Sequence, residues 1–151
     1  MEFIDLIKNS KITSIKRTLD LIMIAFESNG KKIYLHIQCF VRIFDVDGTL
    51  IICSDNMYCK SPTHKKKKFD WTEVGTTLFD DSLNDYKDKI LSTHVVSASF
   101  DNHDIKLVFE NGMSMDVLRK TTKYEDMDYS EDYRFFDDDE NIKPYCIPPI
   151  E

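Results

Sequence analysis

Two aspartates, Asp45 and Asp47, are the side chains of this sequence whose types and spacing most suggest chemistry. They lie in the segment 43–50, IFDVDGTL, at the end of an alternating apolar run. Two carboxylates separated by one residue can bind the same divalent cation. One can then act as the nucleophile while the other transfers the proton. The same segment also favours a tight turn, because Asp-Gly is a common hairpin dipeptide. The pair therefore has a catalytic interpretation and a structural one.

This segment resembles the first motif of the haloacid-dehalogenase-like phosphatases. The resemblance implies that Asp45 is the nucleophile, that Asp47 is the general acid–base, and that both help to hold Mg²⁺. The nucleophile of that family ends a buried parallel strand, which is typically an almost continuous apolar run. Here the preceding strand carries His36, Gln38 and Arg42 at alternate positions. We therefore expect a hairpin turn, no catalytic residue, no metal and no cofactor, with a Mg²⁺-dependent phosphatase using Asp45 as the alternative.

The chain also contains segments that match one another. Residues 22–27 (IMIAFE) match residues 105–110 (IKLVFE), and an Asn-Gly dipeptide follows in both places. Residues 41–45 (VRIFD) match residues 133–137 (YRFFD). Such a match predicts two copies of one supersecondary unit. It favours the structural interpretation of the aspartates, because a repeated strand explains both copies and an active site explains only one.

Alternating apolar and polar residues over most of the chain predict a β-rich fold. We expect a short helix at 2–9, a helix at 81–90, and one long strand at 32–44. The turns are too short for crossover helices, so the strands should be mostly antiparallel. The prediction is a single α+β domain, residues 1–151, whose repeated β units form a pseudo-symmetric sheet or sandwich with one or two short helices. Its halves lie at about 11–58 and 94–147, with a connector at about 59–93.

Polar side chains around the predicted strand 32–44 form a second candidate group. His36, Gln38 and Arg42 share the face opposite the apolar residues, and Asp55 follows downstream. A pair between Arg42 and Asp55 would give either a small polar pocket or a network that fixes strand register. The sequence leaves both interpretations open.

The stretch 35–43, LHIQCFVRI, followed by SDNMY at 54–58, is the most distinctive of the chain. It resembles an uncharacterised family of small bacterial proteins with a Leu-His-Ile-Gln-Cys-x-x-Arg-Ile core. The segments FENG at 109–112 and YRFF at 133–136 are similar to that family too. The resemblance implies a toxin-immunity protein, encoded beside a toxin that it neutralises.

An acidic segment near the C-terminus is the candidate that best fits partner binding. Its carboxylates alternate with tyrosines, including Tyr133, and charge speeds encounter with a basic partner while aromatic rings supply contact area. The candidate partner-binding residues are Tyr124, Glu125, Asp126, Asp128, Tyr129, Glu131, Asp132, Asp137, Asp138, Asp139 and Glu140. Calcium binding at 137–141 is a rival interpretation that lacks the EF-hand spacing. A solvated acidic loop is the plainest interpretation.

Composition narrows the class of protein further. The chain has 151 residues and a formal net charge of −7, which disfavours nucleic acid as a partner and favours a basic protein. We find no secretory signal, no apolar run that could cross a bilayer and no zinc-binding cysteine pattern. We therefore expect a cytoplasmic protein without a membrane partner. The sequence predicts a non-enzymatic bacterial immunity protein that binds a cognate, basic toxin domain, such as a nuclease, and leaves its oligomeric state open.

Overall fold

The computed structural model describes residues 3–65, 68–120, 131–138 and 144–147. These residues form two α-helices, one 3₁₀ helix and ten strands. The helices are α1 (Phe3–Ile7), the 3₁₀ helix (Ser54–Tyr58) and α2 (Leu78–Leu91). The strands are β1 (Lys11–Thr18), β2 (Leu21–Ser28), β3 (Lys31–Ile37), β4 (Phe40–Phe44), β5 (Leu50–Cys53), β6 (Val95–Asp101), β7 (Asp104–Phe109), β8 (Ser114–Leu118), β9 (Tyr133–Asp137) and β10 (Tyr145–Ile147).

The strands of the described residues build two antiparallel sheets of five strands each. The first sheet has the order β1-β2-β3-β9-β10, and the second has the order β5-β4-β8-β7-β6. Each sheet therefore combines three consecutive strands from one half of the chain with the last two strands of the other half. The β-rich, antiparallel architecture expected from the sequence is confirmed. Strand β10 lies at a sheet edge, the position at which a sheet tolerates prolines such as Pro144 beside it.

The inner faces of both sheets contribute to one hydrophobic core. Alternate residues of β2, β3, β7 and β8 are buried, which is the period of strands with one face turned inward. Phe26 of the first sheet and Phe109 of the second belong to the same buried cluster. Helix α1 packs on this inner side, where the ring of Phe3 stacks on that of Phe135 at a centroid distance of 5.9 Å. The outer faces of the sheets are thus left for other contacts.

The single strand predicted at 32–44 is wrong, because the chain changes sheet in its middle. Strand β3 ends in the first sheet, and β4 begins three residues later in the second. The Gln38 N–H donates to the Asp132 carbonyl at 2.8 Å, and the Val41 N–H donates to Ser54 Oγ at 2.9 Å. These bonds replace the sheet pairing that the bend interrupts. The odd-numbered residues stay buried throughout, so the hydrophobic pattern continues across the bend.

The hairpin turn predicted from Asp47-Gly48 is confirmed, and the Asn-Gly dipeptide of the first half forms another hairpin turn. Asn29 and Gly30 join β2 to β3 with φ angles of 53° and 76°. Positive φ at both positions is what a two-residue type I′ turn requires. In the turn between β4 and β5, the Asp45 N–H donates to the Thr49 carbonyl at 2.8 Å, and the Gly48 N–H donates back to Asp45 at 2.9 Å.

Helix α2 starts earlier than the predicted helix at 81–90, because a capping box lies upstream. Thr77 Oγ1 accepts a hydrogen bond from the Asp80 N–H, and Asp80 Oδ2 accepts one from the Thr77 N–H, both at 3.2 Å. Phe79 and Leu83 then bury the helix against the core. Among the described residues, no helix combines the length and the apolar character that crossing a membrane requires.

Candidate functional site

The acidic segment that the sequence singles out lies only partly within the described residues. Glu131, Asp132, Asp137 and Asp138 flank or end strand β9. The other candidate residues fall outside the described ranges, namely Tyr124, Glu125, Asp126, Asp128, Tyr129, Asp139 and Glu140. The described candidate residues therefore lie at the two ends of β9.

Asp132 and Tyr133 do not lie on the surface that the sequence predicts. Asp132 is 0% exposed, its N–H donates to the Ile147 carbonyl at 2.7 Å, and its carbonyl accepts from Gln38. Tyr133 is equally buried and donates its hydroxyl to the His103 carbonyl at 2.7 Å. The reason is that this segment is enclosed between the end of β3 and strand β10. Both residues hold the first sheet together.

Glu131 and Asp138 stand at opposite ends of β9 and reach solvent. Both oxygens of Glu131 accept hydrogen bonds from Arg134, with Nε at 3.0 Å, and this pairing raises the pKa of Arg134. Asp138 accepts a hydrogen bond from the Tyr34 hydroxyl at 3.1 Å, which raises the pKa of Tyr34. Of the predicted surface acids, these two are accessible and already have partners within the chain.

An aromatic surface lies between these carboxylates on the outer face of the first sheet. Side chains alternate along a strand, so the residues between the buried positions of β2, β3 and β9 share this face. The register aligns them in two rows across the three strands, first Met23, His36 and Arg134, then Ala25, Tyr34 and Phe136. We call Tyr34, His36 and Phe136 the aromatic face.

The rings of the aromatic face pack against one another and remain half-buried. Tyr34 and Phe136 stack with centroids 5.2 Å apart, and His36 meets Phe136 edge-on at 4.8 Å. Burial, and then the positive charge of Arg134, lower the pKa of His36, which therefore stays neutral at pH 7. Beside His36 lies a cleft of about 180 Å³, lined also by Leu21, Gln38, Glu131, Tyr133 and Arg134.

The polar group predicted around Arg42 is not assembled as expected. Arg42 Nη2 pairs with Asp116 Oδ2 on β8 at 3.0 Å, and its guanidinium lies 5.3 Å from the centre of the Phe44 ring. Asp55 is exposed at the 3₁₀ helix, and His36 remains in the first sheet. The predicted pairing of Arg42 with Asp55 is therefore wrong. The chain has changed sheet before Arg42, which faces the outer side of the second sheet.

The carboxylates of Asp45 and Asp47 serve the hairpin between β4 and β5. Asp45 Oδ1 forms an ion pair with Lys89 at 2.5 Å and accepts the Val46 N–H at 2.7 Å, and these bonds lower the pKa of Asp45. Asp47 Oδ1 accepts the Thr49 N–H at 2.9 Å, which lowers the pKa of Asp47. Strand β4 is antiparallel to both of its neighbours. The setting of Asp45 is thus not the parallel strand of the phosphatase motif.

A buried ion pair that the sequence interpretation missed joins β1 to the start of α2. Arg17 donates to both oxygens of Asp80, from Nε at 2.7 Å and from Nη2 at 2.6 Å. The side chains are 0% and 8% exposed. Arg17 also donates to the Leu19 and Glu73 carbonyls at 2.9 and 3.3 Å. The capping spacing Thr77-x-x-Asp80 could have revealed the helix start, but no local signal reveals a partner 63 residues away.

The His, Cys, Asp and Glu side chains of the described residues are the groups that could form metal and thiol sites. Among these described residues, no three His, Cys, Asp or Glu side chains are grouped so that they could hold a metal ion. The four cysteines form no disulfide. Burial raises the pKa of Cys39 to about 12, so this thiol is a poor nucleophile at neutral pH.

Comparisons with models of protein families, with curated proteins and with solved structures gave no match. The fold and the aromatic face define the class of this protein. Its described residues form two antiparallel sheets of five strands each, with an aromatic face on the outside of one of them. Carboxylates at both ends of β9 border that face.

Proposed function

We propose that this protein is a bacterial immunity protein, a non-enzymatic cytoplasmic inhibitor that binds a cognate, basic toxin domain. The observation that carries the proposal is the aromatic face with a carboxylate at each end. Tyr34 and Phe136 offer rigid contact area at its centre. Asp138 places negative charge at one end, where charge speeds the approach of a basic partner, and Glu131 at the other end is paired with Arg134.

The charge of the whole chain supports the same choice of partner. A formal net charge of −7 repels nucleic acid and attracts basic proteins over distances longer than a contact. A nuclease domain has a basic cleft that an acidic protein can occupy in place of its substrate. The resemblance of residues 35–43 to a family of small bacterial proteins with an implied immunity role points in the same direction.

We also propose that the two halves of the chain are copies of one unit. The meanders β1-β2-β3 and β6-β7-β8 are each extended by the last two strands of the other half. Phe26 pairs with Ile33 across the first meander, and Phe109 donates its N–H to Met113 at 2.9 Å across the second. These equivalent pairs support a duplication in which each copy completes the sheet of the other.

A difference between the proposed copies supports a specialised role for the first sheet. Arg134 and Arg42 occupy matching positions, on β9 and β4. The cross-strand neighbour of Arg42 is Asp116, which neutralises it, whereas the neighbour of Arg134 is His36. Arg134 is neutralised by Glu131, three residues earlier, so its cross-strand position needs no acid. The first sheet has an aromatic face and a cleft there instead.

The proposal predicts that a large toxin gene lies directly upstream of this chain's gene, and the C-terminal domain of its product is the test partner. We expect the two purified proteins to elute together in size-exclusion chromatography, and we expect the chain to abolish the growth arrest caused by that domain. The C-terminal domain of a toxin from an unrelated locus is the control. Growth arrest that continues despite full expression of this chain would contradict the proposal.

Charge reversal at Asp138 is expected to slow association with the partner domain. Asp138→Lys removes a rim carboxylate and adds a repelling charge, so the association rate constant should fall by roughly tenfold at low salt. The salt dependence of the rate should also become shallower, because fewer attractive charges remain to be screened. Stopped-flow fluorescence measures both. Asp101→Lys, at the end of β6, changes the net charge equally and is the matched control, which should lower the rate much less.

The phosphatase alternative makes a contrary prediction that an assay can check. We expect no Mg²⁺-dependent hydrolysis of p-nitrophenyl phosphate, because Asp45 is engaged by Lys89 in a hairpin turn. Asp45→Asn should therefore leave the background rate unchanged. Metal-dependent turnover that disappears in Asp45→Asn would make the chain an enzyme and overturn the inhibitor proposal.

A further inference from the structure

Asp137, the last residue of β9, has a carboxylate whose surroundings are unusual. The residue pairs with Ile33 of β3, and its side chain is only 2% exposed. Neither carboxylate oxygen receives a hydrogen bond in the part of the chain that the structure describes. Among the described residues, Asp137 forms an ion pair with Lys31, whose Nζ lies 3.7 Å from Oδ2. Within the described ranges, Asp137 is thus a buried acid with a loose ion pair and no hydrogen bond.

The contrast with Asp80 shows what this carboxylate lacks. Asp80 is also buried, and it accepts hydrogen bonds from Arg17, Gly75 and Thr77. A buried carboxylate without donors destabilises the folded chain, because nothing replaces the water that it has lost. Such an arrangement is explained if the missing donors arrive with a ligand. The ligand must then be a cation that donates hydrogen bonds.

Asp137 is one of the residues that line a cleft at the surface, and its two carboxylate oxygens lie just below that surface. The cleft has a volume of about 590 Å³, and it is lined by Asn29, Gly30, Lys31, Lys32, Asp137 and Asp138. The side chain of Lys31 is 43% exposed, so it can swing into solvent and leave its place beside Asp137. Asp138, at the mouth of the cleft, also belongs to the rim of the aromatic face. The cleft and the face are therefore reachable by one partner.

We propose that this cleft receives one arginine side chain of the partner, and that its guanidinium binds Asp137 while Lys31 moves aside. The inference rests on the proposed function, because it assumes a basic protein partner. Arginine fits better than lysine, since its planar fork can donate to both oxygens at once and neither has a donor now. In the unbound protein, Lys31 is then the cation that pairs with Asp137 until the arginine replaces it.

The first test compares Asp137→Asn with wild type, free and bound to the upstream-encoded toxin domain. We expect the melting temperature of the free protein to be unchanged or higher, since a buried charge without donors is removed. We expect Kd for the toxin domain to rise by roughly a hundredfold, because the partner's arginine loses its carboxylate. A lower melting temperature with an unchanged Kd would assign Asp137 a purely structural role and overturn the inference.

A second test uses no toxin. Its result therefore tests the arginine site separately from the proposed function. N-acetyl-arginine methylamide is titrated into the full chain, and the amide signal of Gly30 is followed by NMR. We expect a saturable shift in wild type, a smaller effect of the lysine analogue, and no shift in Asp137→Asn. Lys31→Met should strengthen binding of the arginine probe, because the competing cation is gone. Equal shifts in wild type and Asp137→Asn, or weaker binding by Lys31→Met, would overturn the inference.

Discussion

Replacing Asp80 by alanine is expected to lower the free energy of unfolding by about 3 to 5 kcal/mol. The change leaves the guanidinium of Arg17 buried without its carboxylate, and the side chain of Arg17 is 0% exposed. It also removes the Asp80 half of the capping box, including its bonds to Gly75 and Thr77. The effect should therefore be among the largest that a single polar residue of this chain can produce. Urea unfolding at pH 7 measures it.

The control for this prediction is an ion pair on the surface. Asp5 and Lys8 are 3.7 Å apart and about half exposed, so Asp5→Ala should change the free energy of unfolding by about 0.5 kcal/mol or less. The double variant Arg17→Met, Asp80→Leu should recover much of the loss, because no uncompensated charge then remains. If Asp80→Ala proved as mild as Asp5→Ala, the pair would not be holding β1 to α2.

The same ion pair gives stability a dependence on pH. Burial alone would raise the pKa of Asp80, but the hydrogen bonds from Arg17, Gly75 and Thr77 outweigh it and lower the pKa. Because the folded pKa lies below the unfolded one, this stability is fully present above the unfolded pKa, about 3.9. It is lost as the pH falls through the folded pKa. The stability curves of wild type and Asp80→Ala should therefore converge in acid.

The alternation of residues 33–43 shows how far the sequence could predict the fold. It correctly predicts which side chains are buried, because strand geometry places alternate residues on one face. It cannot show that the chain passes from one sheet to the other near Gln38. Both sheets face the same core, so the burial pattern keeps its phase through the bend. The bend depends on Asp132 and Ser54, which come from distant parts of the chain.

The sequence predicted the residue types of the candidate site, but it did not predict which individual residues form it. Carboxylates and aromatic rings do meet at β9, yet the rings are Tyr34 and Phe136, and Tyr133 is buried instead. Composition of a segment does not determine which neighbouring strand pairs with it. Once β9 is placed between β3 and β10, the register decides which side chains face outward. That placement is a long-range contact, about which local periodicity carries no information.

Replacing Phe136 by alanine is expected to have the largest effect on binding of the partner domain. Phe136 contacts both other rings of the aromatic face, with centroids 5.2 Å from Tyr34 and 4.8 Å from His36. Its loss removes contact area and also the support that orients those two rings. Truncation of a central aromatic residue in an interface costs about 2 to 4 kcal/mol. Kd should therefore rise roughly 30- to 1000-fold, as measured by isothermal titration calorimetry.

The second sheet offers the matched control, because Phe44 lies on its outer face at the position that corresponds to Phe136 in the proposed repeat. Both rings are half-buried, so Phe44→Ala and Phe136→Ala should reduce stability by similar amounts. The two variants should differ in binding alone, since Phe44 packs against Arg42 and, among the described residues, contacts no rings like Tyr34 and His36. Equal loss of binding by both variants would mean that general destabilisation is responsible. Loss of binding by Phe44→Ala alone would move the interface to the second sheet. A loss of binding in Phe136→Ala alone assigns the partner to the aromatic face. The two positions are equivalent in the fold, so general destabilisation would affect binding in both variants.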